Sequence, residues 1–344
     1  MKRGTKLKIA IGLELLAFAI IFLSGQEGSQ LRSKAVTVTS DNFIRWVDFD
    51  VSYEALERAY ELDVAAHDTE CPLNWIELLA YAATMEGGSF SNKSIADIEE
   101  IAQKLQSGET TVKQLKKQYR YYNYYLEAYS AVLGAYVGEY EIEEKGTDGT
   151  VSFVKKYGLK AFSPIAKGFP YSDYDDFGVS RSFGYKREHL GHDMMGQIGT
   201  PIIAVESGTV EALGWNRYGG WRIGIRSKDT KRYYYYAHLR QNYPYAEGLE
   251  EGSEVTAGDV IGYMGHTGYS DTENVNNIDT THLHFGIQLI FDESQKDGNG
   301  EIWINCYQLA QFLYQNQCET EKIGDTKEWK RVYQIKETES DDRT

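Results

Sequence analysis

Histidines are concentrated in one part of the chain. Six of the seven lie between His189 and His284, and Asp193 follows four residues after the first of them. Imidazole nitrogens and carboxylate oxygens are ligands that zinc takes in proteins, and a catalytic zinc site uses three protein ligands and a water molecule. Solvation or core filling does not readily explain this concentration, so it predicts a metal site.

Two pairs in this stretch have a spacing that suits a shared cavity. His282 and His284 are two residues apart, and such positions on a β-strand point to the same face. A glycine between His189 and Asp193 lets the backbone bend or approach closely there. With His238, five polar groups are available, whereas a catalytic zinc takes three from the protein. Two histidines are therefore left for proton handling near neutral pH.

These motifs resemble the M23 family of zinc endopeptidases, the lysostaphin-like peptidoglycan hydrolases. The resemblance covers roughly residues 183–290 and rests on the motifs His-x-Gly-x-Asp, Ala-His-Leu and His-x-His. Shorter supporting matches lie at residues 182–184, 199–204, 207–210 and 257–262.

The resemblance implies a role for each of the five groups. By correspondence with the family pattern, the ligands of a single zinc ion are His189, Asp193 and His284. The non-ligand catalytic residues are then His238 and His282, acting on the attacking water and on the developing oxyanion. The sequence leaves the division of these two roles open. The implied activity is zinc-dependent hydrolysis of peptide bonds in peptidoglycan stem or cross-bridge peptides.

Two other functions stay open at this level. One is a non-catalytic M23-fold protein that binds a partner during envelope assembly, although loss of a ligand would be its signature and none is lost. The other is a second, lysozyme-like glycosidase activity, in which Glu86 follows an apolar helix and acts as the acid. Such an acid needs an apolar pocket. The simpler interpretation of Glu86 is a helix C-terminus in a spacer or docking module.

The periodicity of apolar residues predicts the elements that position these groups. Within residues 42–140, this pattern predicts four to six helices. Strands separated by glycine turns are predicted at 202–205, 208–215, 221–227, 232–237, 260–264 and 282–290. Segments 216–220 and 269–281 are expected to wall a cleft between them. The fold class is therefore α+β, with antiparallel β-sheets in the peptidase domain.

The domain order follows from shifts in composition. We expect a membrane segment at 1–25, a tether at 26–41, a helical domain at 42–140, a linker at 141–160, the peptidase domain at 161–318 and a charged tail at 319–344. An apolar run at residues 9–23, broken only by Glu14, follows a basic start that should stay cytoplasmic. An Ala-x-Ala-like cleavage site is absent. This predicts a single-pass membrane protein with an extracytoplasmic catalytic domain, or a secreted one if the segment is cleaved.

Composition limits the partners further. With 51 acidic and 36 basic residues, the formal net charge is -15, which argues against nucleic acid as a partner. The three cysteines are an odd and sparse set, so they indicate no disulfide framework. The expected partners are peptidoglycan peptides and, through the N-terminal segment, a membrane.

Overall fold

The first part of the described chain is helical. The computed structural model describes residues 43–298 and 300–337. Its first helices are α1 (Tyr53–Ala66), α2 (Trp75–Glu86), α3 (Asn92–Gln106), α4 (Val112–Gln118) and α5 (Tyr122–Leu133). Ser52, Asn74 and Ser91 begin the first three by accepting hydrogen bonds from backbone N–H groups. The predicted number of helices is confirmed for the described part of residues 42–140.

Glu86 is the last residue of α2. Gly87 follows it in the left-handed region at φ +69°, a conformation that commonly ends helices. The Glu86 carboxylate forms an ion pair with the ammonium group of Lys93. These contacts favour the helix-end interpretation over a glycosidase acid, which needs apolar surroundings.

The remainder of the chain is mostly β-structure. Its strands are β1 (Val137–Lys145), β2 (Val151–Leu159), β3 (Ser180–Phe183), β4 (Tyr185–Glu188), β5 (His192–Met195), β6 (Pro201–Ile203), β7 (Gly208–Asn216), β8 (Gly220–Ser227), β9 (Arg232–Ala237), β10 (Glu254–Val255), β11 (Val260–Tyr263), β12 (His282–Leu289), β13 (Ile302–Trp303), β14 (Thr320–Lys322), β15 (Trp329–Arg331) and β16 (Ile335–Glu337). Helix α6 (Tyr307–Leu313) follows β13. The mixed α+β class with antiparallel sheets is confirmed.

Residues 141–160, expected as a linker, form most of a β-hairpin. β1 pairs with β2 along its whole length, and β16 pairs with β1 on the other side. Tyr140 and Ile142 alternate with glutamates in β1 and pack against a small core that includes Ile335. The acidic composition concealed this alternation of period two. The charged tail likewise contributes strands as far as Glu337.

One sheet supports the histidine-rich stretch. Its strand order is β10-β7-β8-β9-β12-β13, and β5 also pairs with β12. β12 therefore lies between β9 on one edge and both β5 and β13 on the other. The strands predicted from periodicity are confirmed with shifts of one or two residues at their ends.

The helices and this sheet share one continuous apolar core. Phe312 of α6 packs against the rings of Tyr60 and Trp75, with 5.7 Å between centroids in both pairs. The thiol of Cys306, just before α6, donates to the carbonyl of Phe285 in β12. This packing fixes the helical region against the sheet that contains β12. The division into two domains stays a prediction.

A buried ion pair also joins the sheet to the helical region. Arg232 is fully buried, and its Nε and Nη2 donate to the Glu206 carboxylate at 2.8 and 3.1 Å. Its Nη2 also donates to Asp229 at 2.8 Å, and its Nη1 donates to the carbonyl of Ala131 in α5 at 2.6 Å. The guanidinium therefore ties β9 to the helical region.

The prediction of a single-pass membrane protein is contradicted. Within residues 43–298 and 300–337, no helix is long and apolar enough to cross a bilayer. The longest of them, α3, has 15 residues, whereas a spanning helix needs about 20 apolar ones. The segment on which the prediction rested, residues 1–25, lies outside the described residues.

Arg232→Met should lower the free energy of unfolding by about 3–5 kcal/mol, because it leaves the buried Glu206 carboxylate without its partner. Arg217→Met is the matched control, since Arg217 forms a more exposed ion pair with Asp271 at 3.3 Å. Loss of such a pair costs roughly 0–1 kcal/mol. Urea unfolding followed by circular dichroism measures both variants, and equal losses would contradict the role given to Arg232.

Candidate metal centre

Strand register brings distant residues onto one face. β12 pairs with β5 so that His284 lies opposite Asp193, and Leu283 lies opposite Met194. Because side chains alternate along a strand, the polar pair shares one face with His282 and the apolar pair shares the other. Leu283 and Met194 are fully buried, so their burial fixes which face the polar groups take.

The loop between β4 and β5 adds a third group to this face. Nε2 of His189 lies 3.0 Å from Oδ1 of Asp193 and 2.8 Å from Nδ1 of His284. The remaining side of the triangle, from His284 Nδ1 to Asp193 Oδ1, is 3.0 Å. Three donor atoms from separate segments therefore meet around one point.

This triangle has the chemistry and nearly the size of a zinc site. Ligand distances of about 2.0–2.1 Å in a tetrahedral shell separate the donors by roughly 3.3–3.4 Å. The observed separations of 2.8–3.0 Å differ from this by a few tenths of an ångström, which small side-chain rotations can supply. In the part of the chain that the structure describes, this is the one group of His, Cys, Asp or Glu side chains close enough to hold a metal ion.

Sequence patterns did not reveal a carboxylate that positions His189. Asp176 is fully buried. Its Oδ2 lies 3.2 Å from Nδ1 of His189, and its carbonyl accepts from that nitrogen at 3.0 Å. With Nδ1 donating, Nε2 faces the triangle and is the nitrogen left to bind a metal ion in place of a proton. Asp176 is the last residue of the acidic run Asp173, Asp175, Asp176. Carboxylates that shortly precede a histidine motif are the sequence signal that could have indicated the role of Asp176.

Arg181 links two carboxylates beside the triangle. Its Nη2 donates to Oδ2 of Asp176 at 2.7 Å and to Oδ2 of Asp193 at 3.1 Å. One oxygen of Asp193 is thus held by the guanidinium while the other points to the histidines. Such outer contacts orient metal ligands and tune their basicity.

The charges of the cluster favour a cation at its centre. Burial disfavours the charged form of His189, but hydrogen bonds to Asp176 and Asp193 prevail and raise its pKa to about 9. Burial also opposes ionisation of Asp193, yet hydrogen bonds from His189 and His284 hold its pKa far below the usual range. For Asp176, hydrogen bonds from His189 and His192 outweigh burial and lower the pKa to about 2. Two ionised carboxylates therefore stabilise a proton or a metal ion at Nε2 of His189.

Two further histidines complete the cluster where the sequence predicted them. His238 follows β9 and His282 begins β12, with ring centroids 4.6 Å apart. Nδ1 of His238 donates to the carbonyl of Thr267 at 2.9 Å, and Nδ1 of His282 donates to the carbonyl of Thr280 at 2.8 Å. Nε2 is therefore the lone-pair nitrogen of both rings, and that of His282 lies 3.7 Å from Oδ1 of Asp193.

Burial keeps His238 and His284 in the neutral form. Burial, followed by the nearby His282 and His284, lowers the pKa of His238 well below its ordinary value. Burial also lowers the pKa of His284, although its hydrogen bond with Asp193 acts in the opposite direction. A neutral imidazole is the form that accepts a proton or binds a metal.

His192 and His266 lie outside the cluster. Nε2 of His192 is 2.9 Å from the Asp173 carboxylate. His192 is buried, and it adjoins Asp193 on β5 and so faces the opposite side. Nδ1 of His266 donates to the carbonyl of Ile278 at 2.7 Å.

The cluster lies in a cavity of about 640 Å³. Both segments expected to wall a cleft line it, through Tyr218 and Gly219 on one side and Tyr269 on the other. Phe183 of β3 stacks on Tyr269 with 5.0 Å between centroids. This volume falls within the range of about 300–1,000 Å³ typical of ligand pockets.

The position of Gly191 has no room for a side chain. A Cβ at this position would lie 2.6 Å from Cε1 of His284 and 2.8 Å from the carbonyl oxygen of Phe285. The glycine of the His-x-Gly-x-Asp motif thus permits the close approach of two segments that carry donor atoms.

Gly191→Ala should displace the His284 imidazole and weaken metal binding. We expect about a 10- to 100-fold loss of Zn²⁺ affinity, the size seen for changes around metal ligands. Competition with a chromophoric chelator measures it. Gly138→Ala is the control, because its Cβ would make only ordinary contacts with Lys160. An unchanged affinity in Gly191→Ala would mean that the contact with His284 does not constrain the site.

Comparisons with known proteins identify one family. Residues 187–297 match the family described as Peptidase family M23. The L-Ala–D-Glu endopeptidase of Bacillus subtilis is 37% identical over 151 residues, which cover 41% of this chain and 45% of that protein. Lysostaphin of Staphylococcus simulans is 34% identical over 120 residues, which cover 35% of this chain and 20% of that protein. The chain therefore spans less than half the length of either relative.

A solved structure from Ruminococcus gnavus, of a candidate glycyl-glycine endopeptidase, is also similar. It is 25% identical, has a TM-score of 0.49, and the match covers 83% of this chain and 95% of that one. The family match by itself encloses the whole histidine cluster, from His189 to His284. Residues 187–297 of this chain are therefore similar in sequence to Peptidase family M23.

Proposed function

We propose that this protein is a zinc-dependent endopeptidase that hydrolyses peptide bonds in peptidoglycan. The observation that carries the proposal is the meeting of His189 Nε2, Asp193 Oδ1 and His284 Nδ1 within 3.0 Å of one another in a cavity of about 640 Å³. The family match and the activity of the Bacillus subtilis relative support the substrate class. The proposed substrates are stem or cross-bridge peptides.

These three atoms are the proposed ligands of one zinc ion per chain. Two imidazoles and one carboxylate leave a fourth tetrahedral position for water or substrate, as in catalytic sites. When bound, zinc supplies Lewis acidity and lowers the pKa of water. Asp176 and Arg181 hold the ligands in position before the metal binds.

His282 and His238 are proposed to handle the proton. Because Nδ1 of each ring donates to a main-chain carbonyl, each Nε2 can accept a proton. His282 has its Nε2 3.7 Å from Asp193 and is proposed to take the proton from the attacking water. His238, with its ring centroid 5.9 Å from that of His284, is proposed to stabilise the developing oxyanion after its Nε2 has taken up a proton, because only then can that nitrogen donate a hydrogen bond.

The peptidase domain is proposed to occupy residues 161–318. The helical region at 42–140 is proposed to act as a spacer or docking module. The ion pair of Glu86 with Lys93 supports this role over a glycosidase.

Digestion of purified peptidoglycan tests the proposed function. The zinc-loaded protein should release new free amino groups, chelation should abolish the release, and added Zn²⁺ should restore it. His284→Ala should lose both bound zinc and activity. The control His67→Ala, a histidine on the partly exposed end of α1, should keep both. Undiminished digestion by His284→Ala would refute the proposal.

His238→Ala should separate catalysis from metal binding. Its zinc content should equal that of the parent protein, whereas kcat should fall about 10²- to 10⁴-fold, the usual contribution of a general acid or base. Metal analysis and steady-state kinetics measure the two effects. His266→Ala serves as the control, because its ring bonds to Ile278 outside the cluster. Loss of zinc along with activity would make His238 a ligand and contradict the proposed role.

A further inference from the structure

Arginines in the cavity differ in whether the protein neutralises them. We propose that Arg187 and Arg222 bind a carboxylate of the substrate, so that the cleft takes an acidic peptide with a free carboxylate near the scissile bond. An uncharged peptide such as a glycine bridge would bind less well. This inference rests on the proposed function and narrows its substrate class.

Arg187 projects from β4 directly opposite Arg181 of β3. The two line the same cavity, but Arg181 is held by two carboxylates, whereas Arg187 is paired with no carboxylate of the described chain. Nη2 of Arg187 donates to the hydroxyl of Tyr269 at 3.0 Å. Its guanidinium lies 4.8 Å from the ring centroid of Tyr218 and 5.2 Å from that of Tyr269. These contacts hold the group in place without cancelling its charge.

Nη1 of Arg187 has no hydrogen-bond partner among the described residues, although it is buried. The Nε of Arg222 on β8 is also buried and has no hydrogen-bond partner among the described residues. No described acidic side chain forms an ion pair with either group. Burying a guanidinium nitrogen without a partner is costly, so each such group needs an explanation.

Neighbouring arginines on the same sheet show that the protein can supply acidic partners. Arg226, four residues after Arg222 on β8, pairs with Glu293 and lies 3.7 Å from Glu211. Arg232 on β9 pairs with Glu206 at 2.8 Å. Of the three arginines that line the cavity with the metal cluster, Arg187 and Arg222 are the two without an acidic partner among the described residues.

Both arginines line the cavity together with Tyr235. The ring of Tyr235 lies 5.8 Å from that of His284 between centroids. The two guanidiniums and the proposed ligands therefore face the same cavity.

A carboxylate is the group that best satisfies two such cations. Guanidinium and carboxylate form paired, charge-assisted hydrogen bonds of matching geometry. Glu188, Asp297 and Glu301 also line the cavity, but none of them is paired with either arginine. A stem peptide with a free carboxylate can supply the missing partner, whereas a glycine bridge has no such group.

A matched pair of synthetic stem peptides tests this inference. The two differ at one position near the scissile bond, where one carries a free carboxylate and the other the corresponding carboxamide. The zinc-loaded protein should cleave the carboxylate peptide with a kcat/KM roughly 10- to 100-fold higher, the size expected for a charge-assisted contact. Arg187→Gln and Arg222→Gln should each reduce that preference, mainly by raising KM for the carboxylate peptide.

Lys186→Gln is the control, since this lysine neighbours Arg187 but is exposed and lies outside the cavity lining. It removes the same charge and should keep the preference. Arg187→Lys retains the charge and should keep part of it, which guards against a glutamine variant that folds poorly. Equal cleavage of both peptides by the parent protein overturns the inference and leaves the proposed function standing. Cleavage of neither peptide, nor of whole peptidoglycan, overturns both.

Discussion

The pairing of β12 with β5 is the constraint on which the site depends. It sets Asp193 across from His284, two residues that are 91 positions apart in the chain. A slip of one residue would turn Leu283 and Met194 toward the cleft, because side chains alternate along a strand. The apolar face of β12 is buried in the core that the sheet shares with the helices. Burial of apolar groups therefore holds the polar groups in register.

Charged side chains around this pair of strands are neutralised by oppositely charged neighbours. Hydrogen bonds from His189 and His284 keep the carboxylate of Asp193 ionised. Arg181 donates to its other oxygen, and Asp176 bonds to the far side of the His189 ring. The arrangement leaves excess negative charge at the centre, where a cation belongs. Further along the cavity the balance reverses, since Arg187 and Arg222 have no acidic partner among the described residues. One cavity thus offers a place for a cation and a place for an anion side by side.

Glycines let aromatic side chains of the cavity lining pack closely against the sheet. A Cβ at Gly224 would lie 1.9 Å from the hydroxyl of Tyr233, and one at Gly286 would lie 2.9 Å from the indole of Trp303. Both aromatic rings therefore lie close against the sheet where any other residue would push them away. Together with Gly191, these two glycines permit close contacts in and around the cleft that a larger residue would prevent.

The sequence by itself indicated the residue types that can bind a metal, the five polar residues expected to meet and most strands of the sheet. Donor chemistry belongs to residue types, and alternation along a strand is a local property that spacing reveals. Tertiary structure alone decided that Asp176 positions His189, that Arg181 but not Arg187 has acidic partners among the described residues, and that the acidic segment at 141–150 joins a hairpin. The reason is that the partner of a charge or of a strand edge is chosen through space, among groups that no local pattern connects.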